Sequence, residues 1–348
     1  MRNLLLCLVL GLAACQPRAS VQETVAPTPP RERVAELLFA GDVMVHTPQL
    51  TTAKIGSGYD FKPSFAYLKP LFEEADLAVV NLETTLAQRP PYAGYPLFRS
   101  PYALVDALSD AGVDVALMAN NHAMDCGAAG VLSTLSALES WRIRPTGLWR
   151  SKEEHRAEPF LLVTIDSIRF AIANYTYGTN GMPVPEGMHI NRLDTVQMAA
   201  DIARMQLSEA DCIIVCLHWG IEYDLKPNRA QRRLADFLRR EGVQLIIGSH
   251  PHVVQPFEAD SLSACFYSLG NLVSNQRKRY TDGGILARIR VTQRGDEQLR
   301  IEAEAIPCWV DKWHGYRVLP LAAADTLTRD AAYKIFREDV LTTLQKGL

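Results

Sequence analysis

The chain has 348 residues, a formal net charge of −3, 48% hydrophobic residues and 22% charged residues. That mix is ordinary for a globular protein, and the length fits about two domains or one large α/β domain. The charge is mild and mixed, with no basic stripe or tail, so no nucleic-acid partner is expected.

The N-terminal stretch differs from the rest. Met1-Arg2 is a short positive start, and Leu4 to Leu12 is almost purely apolar. The run is too short to cross a bilayer as a permanent helix and has the layout of a signal peptide. Leu12-Ala13-Ala14-Cys15 resembles the bacterial lipobox, in which the cysteine is lipidated and becomes the mature N-terminus. The alternative is an ordinary secretory signal with a chance cysteine. By the same resemblance, Gln16 after Cys15 implies a lipid anchor in the outer membrane of a Gram-negative envelope, facing the periplasm. Pro17, Pro27, Pro29 and Pro30, with Ser and Thr between them, form a tether with no core-forming pattern. The expected organisation is a signal peptide over residues 1–14, a tether over 15–33, a domain over 34–320 and a C-terminal helix packed on it over 321–348.

Apolar runs and helical patterns then alternate. Glu36 to Ala40 is a strand candidate ending at Gly41-Asp42. Pro63 to Glu74 has a helical pattern, and Asp76 to Asn81 is a short strand running into Leu82-Glu83. Ser100-Pro101 reads as an N-cap and first helical residue, and Gly112 stops that helix. Val113 to Ala119 is the next strand, followed by Asn120-Asn121-His122, and Gly127 to Trp141 is a helix. Phe160 to Ile165 and Ile168 to Asn174 form a hairpin across Asp166-Ser167. A helix from about Asp194 to Leu207 precedes the buried strand Asp211 to Leu217, which ends at His218-Trp219-Gly220. Pro227 to Glu241 is a helix, Val243 to Ile247 a strand, and Gly248-Ser249-His250-Pro251-His252 follows. Cys265 to Leu269 ends at Gly270-Asn271. Ile285 to Val291 and Leu299 to Ala305 alternate as antiparallel strands do, and Asp325 to Gln345 reads as a helix. Cys126, Cys212, Cys216, Cys265 and Cys308 show no zinc-finger spacing and no disulfide framework.

The polar, metal-capable residues fall where apolar strands stop: Asp42, Glu83, Asn121, His218, His250 and His252. Ligands bind at the carboxyl ends of strands in open α/β sheets. Two imidazoles at i and i+2 of an extended chain point the same way, so His250 and His252 suggest half of a metal site. The mixed oxygen and nitrogen donor set suits one or two divalent transition ions, such as Mn, Zn or Fe. It exceeds what one tetrahedral ion needs. A shared carboxylate can bridge two ions about 3.5–4 Å apart. Taken singly, each of these residues also has a bland reading as a turn, a cap or a satisfied polar group.

Together they are similar to the calcineurin-like metallophosphatase superfamily. The closer resemblance is to its CapA branch, the PgsA-type poly-γ-glutamate synthesis proteins. The pieces that carry it are Gly41-Asp42-Val43-Met44, Asn81-Leu82-Glu83-Thr84, Tyr95-Pro96-Leu97-Phe98, Ala119-Asn120-Asn121-His122 with Asp125, His218-Trp219-Gly220 with Glu222-Tyr223, Gly248 to Gln255, and Tyr267 to Asn271. The resemblance implies a sandwich of two stacked mixed β-sheets flanked by α-helices. It also implies metal ligation by Asp42, Glu83 (bridging), Asn121, His218, His250 and His252. By the same resemblance His122 protonates the leaving group or serves as an oxyanion donor. Asp125 either orients His122 or caps the next helix. Asn120, Arg99, Glu222 and Asn271 are candidate contacts to an anionic polymer or phosphoester substrate; each has a turn or surface reading as well. The implied partners are the membrane, through the lipid, and the membrane proteins of polymer synthesis. The implied function is a membrane-anchored metal-dependent hydrolase of poly-γ-glutamate or capsular polymer biosynthesis, export or release. The alternative is a non-catalytic assembly or export factor that keeps a metal site. Position 44 is Met where the wider superfamily has His, which leaves one ion with Asp42, Glu83 and His252.

Overall fold

The computed structural model describes residues 31–346. Residues 1–30, which include the expected signal peptide, Cys15 and most of the expected tether, lie outside the described residues. The first strand, Glu32–Val43, is longer than the apolar run Glu36 to Ala40 that marks it in the sequence. Its extra turns of pleat come from pairing with Gly283–Arg294 from Glu32↔Arg294 to Ala40↔Leu286.

Glu32–Val43 sits in the middle of an eight-stranded sheet. On one side Leu77–Leu82, Val115–Leu117 and Arg144–Thr146 follow in parallel. On the other side Gly283–Arg294, Arg300–Asp311 and Arg317–Pro320 run antiparallel. A second, six-stranded sheet has the order Leu161–Ile165, Ile168–Thr176, Cys212–His218, Leu245–Ser249, Ala264–Phe266 and Phe257–Ala259. Its four central strands are parallel.

The period of two in strand side chains divides the core. Leu37 and Phe39 face Ile214, Cys216, Ile247 and Phe266 between the sheets, whereas Leu38 and Ala40 face the helices. Ala171, Ile213 and Val215, on the outer face of the second sheet, pack on Met198 and Ile202 of Thr195–Leu207 and on Ala235 and Leu238 of Arg229–Arg240. Burying one such large side chain is worth about 1.5–3 kcal/mol. Because the parallel strands are covered on both faces, they read as unbroken apolar runs. The observed architecture is the expected α/β sandwich of two stacked mixed sheets flanked by helices.

Local signals set the boundaries in several places. Asp194 Oδ1 accepts from the Val196 N–H (2.9 Å) and starts Thr195–Leu207. Asn228 accepts from the Gln231 N–H (3.0 Å) and starts Arg229–Arg240. Asp166 and Ser167 both take positive φ (42° and 67°), as a tight two-residue hairpin turn requires.

Elsewhere the structure departs from the sequence expectation. Pro63 to Glu74 is two short helices, Lys62–Phe65 and Lys69–Glu74, because Pro70 cannot sit inside one helix and instead opens the second. Ser100 caps nothing: Arg99–Pro101 is a strand paired with Thr85–Ala87, Ser100 Oγ is bonded to Thr84 Oγ1 (2.8 Å), and the helix begins at Ala103. The tail is likewise two helices, Leu321–Leu327 and Ala331–Lys346, parted by Thr328 in extended conformation. Tyr333, Phe336 and Val340 of the second helix join the inter-sheet core. No described helix is long and apolar enough to cross a membrane.

Candidate metal centre

Strand register brings the site together. Asp42 pairs with Asn81 across the first two parallel strands, and His218 pairs with Ser249 across two others. Glu83 follows its strand directly, and Asn121 follows Val115–Leu117. Gly41 lets the Asp42 strand approach closely: a Cβ there would lie 1.9 Å from the Gly270 carbonyl oxygen, while the Asp42 N–H donates to that oxygen at 3.0 Å. Asp42, Glu83, Asn121, His218, His250 and His252 are all 4% exposed or less.

His250 and His252 converge by a different route from the extended one their spacing suggests. The strand ends at Ser249, and both histidines have positive φ, 97° and 58°. Such backbone is rare outside glycine and costs on the order of 1–3 kcal/mol per residue. The turn is pinned from three sides. The Tyr223 N–H donates to the Pro251 carbonyl (2.8 Å), Ser268 Oγ donates to the Val253 carbonyl (2.7 Å), and Asn271 Nδ2 donates to the His252 carbonyl (3.4 Å). The two imidazole rings end 5.9 Å apart.

The donor atoms form two compact groups, Glu83–His250–His252 and Asp42–Glu83–His218, each within 4.8 Å. Glu83 belongs to both, as a bridging carboxylate would. His218 Nε2 lies 2.8 Å from Asn121 Oδ1 and 3.7 Å from Glu83 Oε1. His252 Nδ1 lies 2.9 Å from Asp42 Oδ2, and its Nε2 3.8 Å from Glu83 Oε1. The His250 ring stands between the other two, 4.8 Å from His218 and 5.9 Å from His252.

The chemistry of these atoms fits a divalent cation. Glu83 Oε1 and His250 Nδ1 are buried with no hydrogen-bond partner, a costly state for polar atoms. Ser249 Oγ donates to the Leu217 carbonyl (3.3 Å), so it accepts from His218 Nδ1 (3.0 Å). The His218 Nε2 lone pair then faces the oxygens of Asn121 and Glu83, an array of acceptors that a cation satisfies. Burial, then the Asp42 charge, pushes the Glu83 carboxyl well above its ordinary value. Burial, then neighbouring histidines, holds His218 well below the usual imidazole range and lowers His250 to about 3. Neutral imidazole is the ligating form.

His122 is close enough to the candidate ligands for its charge to act on His218 and His250, and it is paired with Asp125. Asp125 Oδ2 accepts from His122 Nδ1 (2.7 Å) and from the Phe98 N–H (2.6 Å), and the Phe98 ring lies edge-on to His122 at 4.7 Å. Asp125 orients His122, and the following helix Gly127–Ser140 has no side-chain cap. Asn120 is committed to the fold: its Nδ2 donates to the Leu82 carbonyl (2.8 Å) and its Oδ1 accepts from the His122 N–H (3.1 Å). Asn271 braces the His252 turn and also reaches Gln276 Oε1 (2.9 Å) and the Thr281 carbonyl (3.0 Å). Glu222 is exposed next to Tyr223, and its charge reaches Glu83. Arg99 donates to the Pro91 carbonyl.

His46 lies in neither ligand group. It precedes the helix Thr47–Ala53, and its Nδ1 accepts from the Asn275 N–H (3.2 Å).

The sequence reading missed Asn81 and Tyr177. Asn81 Nδ2 lies 2.7 Å from Asp42 Oδ1 and 3.3 Å from Glu83 Oε2; its signal is a carboxamide inside a fully buried strand. The Tyr177 ring lies 4.6 Å from His250 and stacks parallel to His218 at 6.2 Å; its signal is an aromatic residue just past a strand end. Tyr223 flanks His252 at 6.3 Å, with Lys278 Nζ 4.0 Å above its ring.

A sequence profile described as "Bacterial capsule synthesis protein PGA_cap" matches residues 36–276. The PGA biosynthesis protein CapA of Bacillus subtilis is 28% identical over 288 residues, 79% of this chain and 73% of that one. The capsule biosynthesis protein CapA of Bacillus anthracis is 27% identical over 295 residues, covering 79% and 69%. The solved structure of the Haemophilus influenzae NAD nucleotidase NadN aligns with a TM-score of 0.50 at 12% identity, over 90% of this chain and 68% of that one. The stacked sheets, with their donors gathered at one rim, have the metallophosphatase fold, and the chain belongs to the bacterial capsule synthesis protein family PGA_cap.

Proposed function

We propose that this protein is a metal-dependent hydrolase that acts on a phosphoester or γ-glutamyl amide bond during the making, export or release of a poly-γ-glutamate-type capsular polymer. The observation that carries the reading is the buried, partner-less Glu83 oxygen shared by two groups of imidazole and carboxylate donors. Asp42, Glu83, Asn121, His218, His250 and His252 would hold one or two ions of Mn, Zn or Fe. When bound, such ions supply Lewis-acid polarisation of the scissile group and of water. His122 then serves as the proton donor to the leaving group. Its Nδ1 is tied to Asp125, which leaves Nε2 as the atom available to the substrate. Tyr177 and Tyr223 flank the histidines and limit the directions from which a substrate approaches. The Leu12 to Cys15 motif supports attachment of the domain to the cell envelope through a lipid on Cys15.

The test is hydrolysis of a panel holding a phosphomonoester, a phosphodiester and a γ-linked glutamate oligomer, by wild type and by His122→Ala. The expected result is turnover of at least one class in wild type and its loss in H122A, with metal content unchanged. Metal-loaded wild type inert on every class, together with polymer production in cells undiminished by H122A, would favour the non-catalytic assembly role instead.

A further inference from the structure

Asn81 occupies the middle of the donor set, yet nothing above gives it a task. It is 1% exposed and stands opposite Asp42 in the strand register. Its Nδ2 donates to Asp42 Oδ1 (2.7 Å) and to Glu83 Oε2 (3.3 Å), and lies 3.4 Å from His218 Nδ1. One amide group thus joins the two carboxylates, and both belong to the same compact group of ligand atoms. Its own oxygen is held loosely. Asn120 Nδ2 reaches it only at 3.4 Å, while making its shorter bond, 2.8 Å, to the Leu82 carbonyl.

A carboxamide offers two N–H donors and an acceptor oxygen from the same end without a charge. Two buried carboxylates side by side repel each other, which pushes Glu83 toward its neutral form, and a donor shared between them eases that repulsion. Aspartate at position 81 offers an oxygen but no donor, and alanine offers neither. We infer that Asn81 is a positioning residue that stands in for the cation: its N–H groups hold Asp42 and Glu83 in ligating position in the metal-free protein, and its oxygen turns inward when an ion takes over the carboxylates. This rests on the metal reading above and adds to it a built-in device against collapse or repulsion of the empty site. It also predicts a tuned affinity, because an ion must displace an existing pair of hydrogen bonds before it binds.

The two roles separate under two substitutions, Asn81→Asp and Asn81→Ala. Thermal unfolding of chelator-treated protein reads the first role, and titration with Mn²⁺ alone reads the second. Both variants lose the donor, so the metal-free Tm falls in each, by on the order of several degrees. Their Mn²⁺ affinities move in opposite directions: about tenfold tighter in N81D, which keeps an oxygen and adds a negative charge toward the ion, and about tenfold weaker in N81A, which has no oxygen to offer. Equal weakening of Mn²⁺ binding in both variants would show that Asn81 only fills space, and would overturn the inference while leaving the metal centre intact. An unchanged metal-free Tm in both would overturn it as well. Wild-type protein that binds no Mn²⁺, Zn²⁺ or Fe²⁺ would instead remove the metal reading, and this inference with it.

Discussion

Replacing Glu83 with glutamine should make the metal-free protein more stable and the metal-bound protein less so. Glu83 is fully buried, lies close to Asp42, and has an oxygen with no partner. A buried polar atom left unsatisfied costs about 1–3 kcal/mol, and more when it is charged. Glutamine has nearly the same shape. It can turn its oxygen to Asn81 Nδ2, where Glu83 Oε2 now accepts at 3.3 Å, and point its amide at Asp42. Recovering even 2 kcal/mol should raise the metal-free Tm by roughly 3 °C. With metal the sign reverses. At a free ion concentration of 100 times Kd, binding stabilises the wild type by about 2.7 kcal/mol. If E83Q weakens binding a hundredfold, the same concentration gives only about 0.4 kcal/mol. Calorimetric unfolding of both proteins, with chelator and with Mn²⁺, measures all four states. A lower metal-free Tm in E83Q, combined with a full metal-induced shift, would refute the assignment of Glu83 as the shared ligand.

Asp125→Ala should leave bound metal unchanged and slow hydrolysis on the order of a hundredfold, the low end of what a positioned proton donor contributes, because His122 loses the acceptor that fixes Nδ1; elemental analysis beside steady-state kinetics separates this from loss of the ion. Acid should unfold the protein partly through His155, which packs edge-on to Trp149 (4.7 Å) and stacks on His189 (3.7 Å). Burial, then the His189 charge, lowers it from 6.5 to about 4. The unfolded chain therefore binds more protons between those values, so the stability present above about pH 6.5 is lost as pH falls toward 4. In His155→Phe the urea midpoint should fall less steeply across that window, and an identical slope would exclude His155 as a contributor.

The sequence made the site legible where a polar residue interrupts or follows an apolar run. Asp42 and His218 lie at the ends of their strands and Glu83 directly after its own, and parallel register carries them to one rim; Asn121 comes four residues after Leu117 and is placed by the intervening loop. His250 and His252 reach the same donor groups, but not through the extended i, i+2 geometry that their spacing suggests. Nothing in Gly248 to His252 announces two histidines with positive φ; that conformation is imposed by the Tyr223, Ser268 and Asn271 contacts, all remote in sequence. Asn81 was hidden because it lies inside its strand, where a carboxamide reads as the end of an apolar run. Ser100 shows the converse. Its cap signal is real as chemistry, but Thr84 claims the hydroxyl and the helix begins three residues later. The individual strands were readable from patterning and their stacking into two sheets only through the family resemblance, whereas the breaks at Pro70 and Thr328 depended on local backbone limits within longer helical patterns.

The most direct measurement is elemental analysis of the purified, folded domain prepared without chelators, for wild type beside Glu83→Gln and His250→Ala. One or two equivalents of a divalent transition ion in the wild type, lost from both variants, is the result predicted by a centre built around the Glu83 carboxylate. Folded wild-type protein that carries no such ion and takes up none on addition would contradict it.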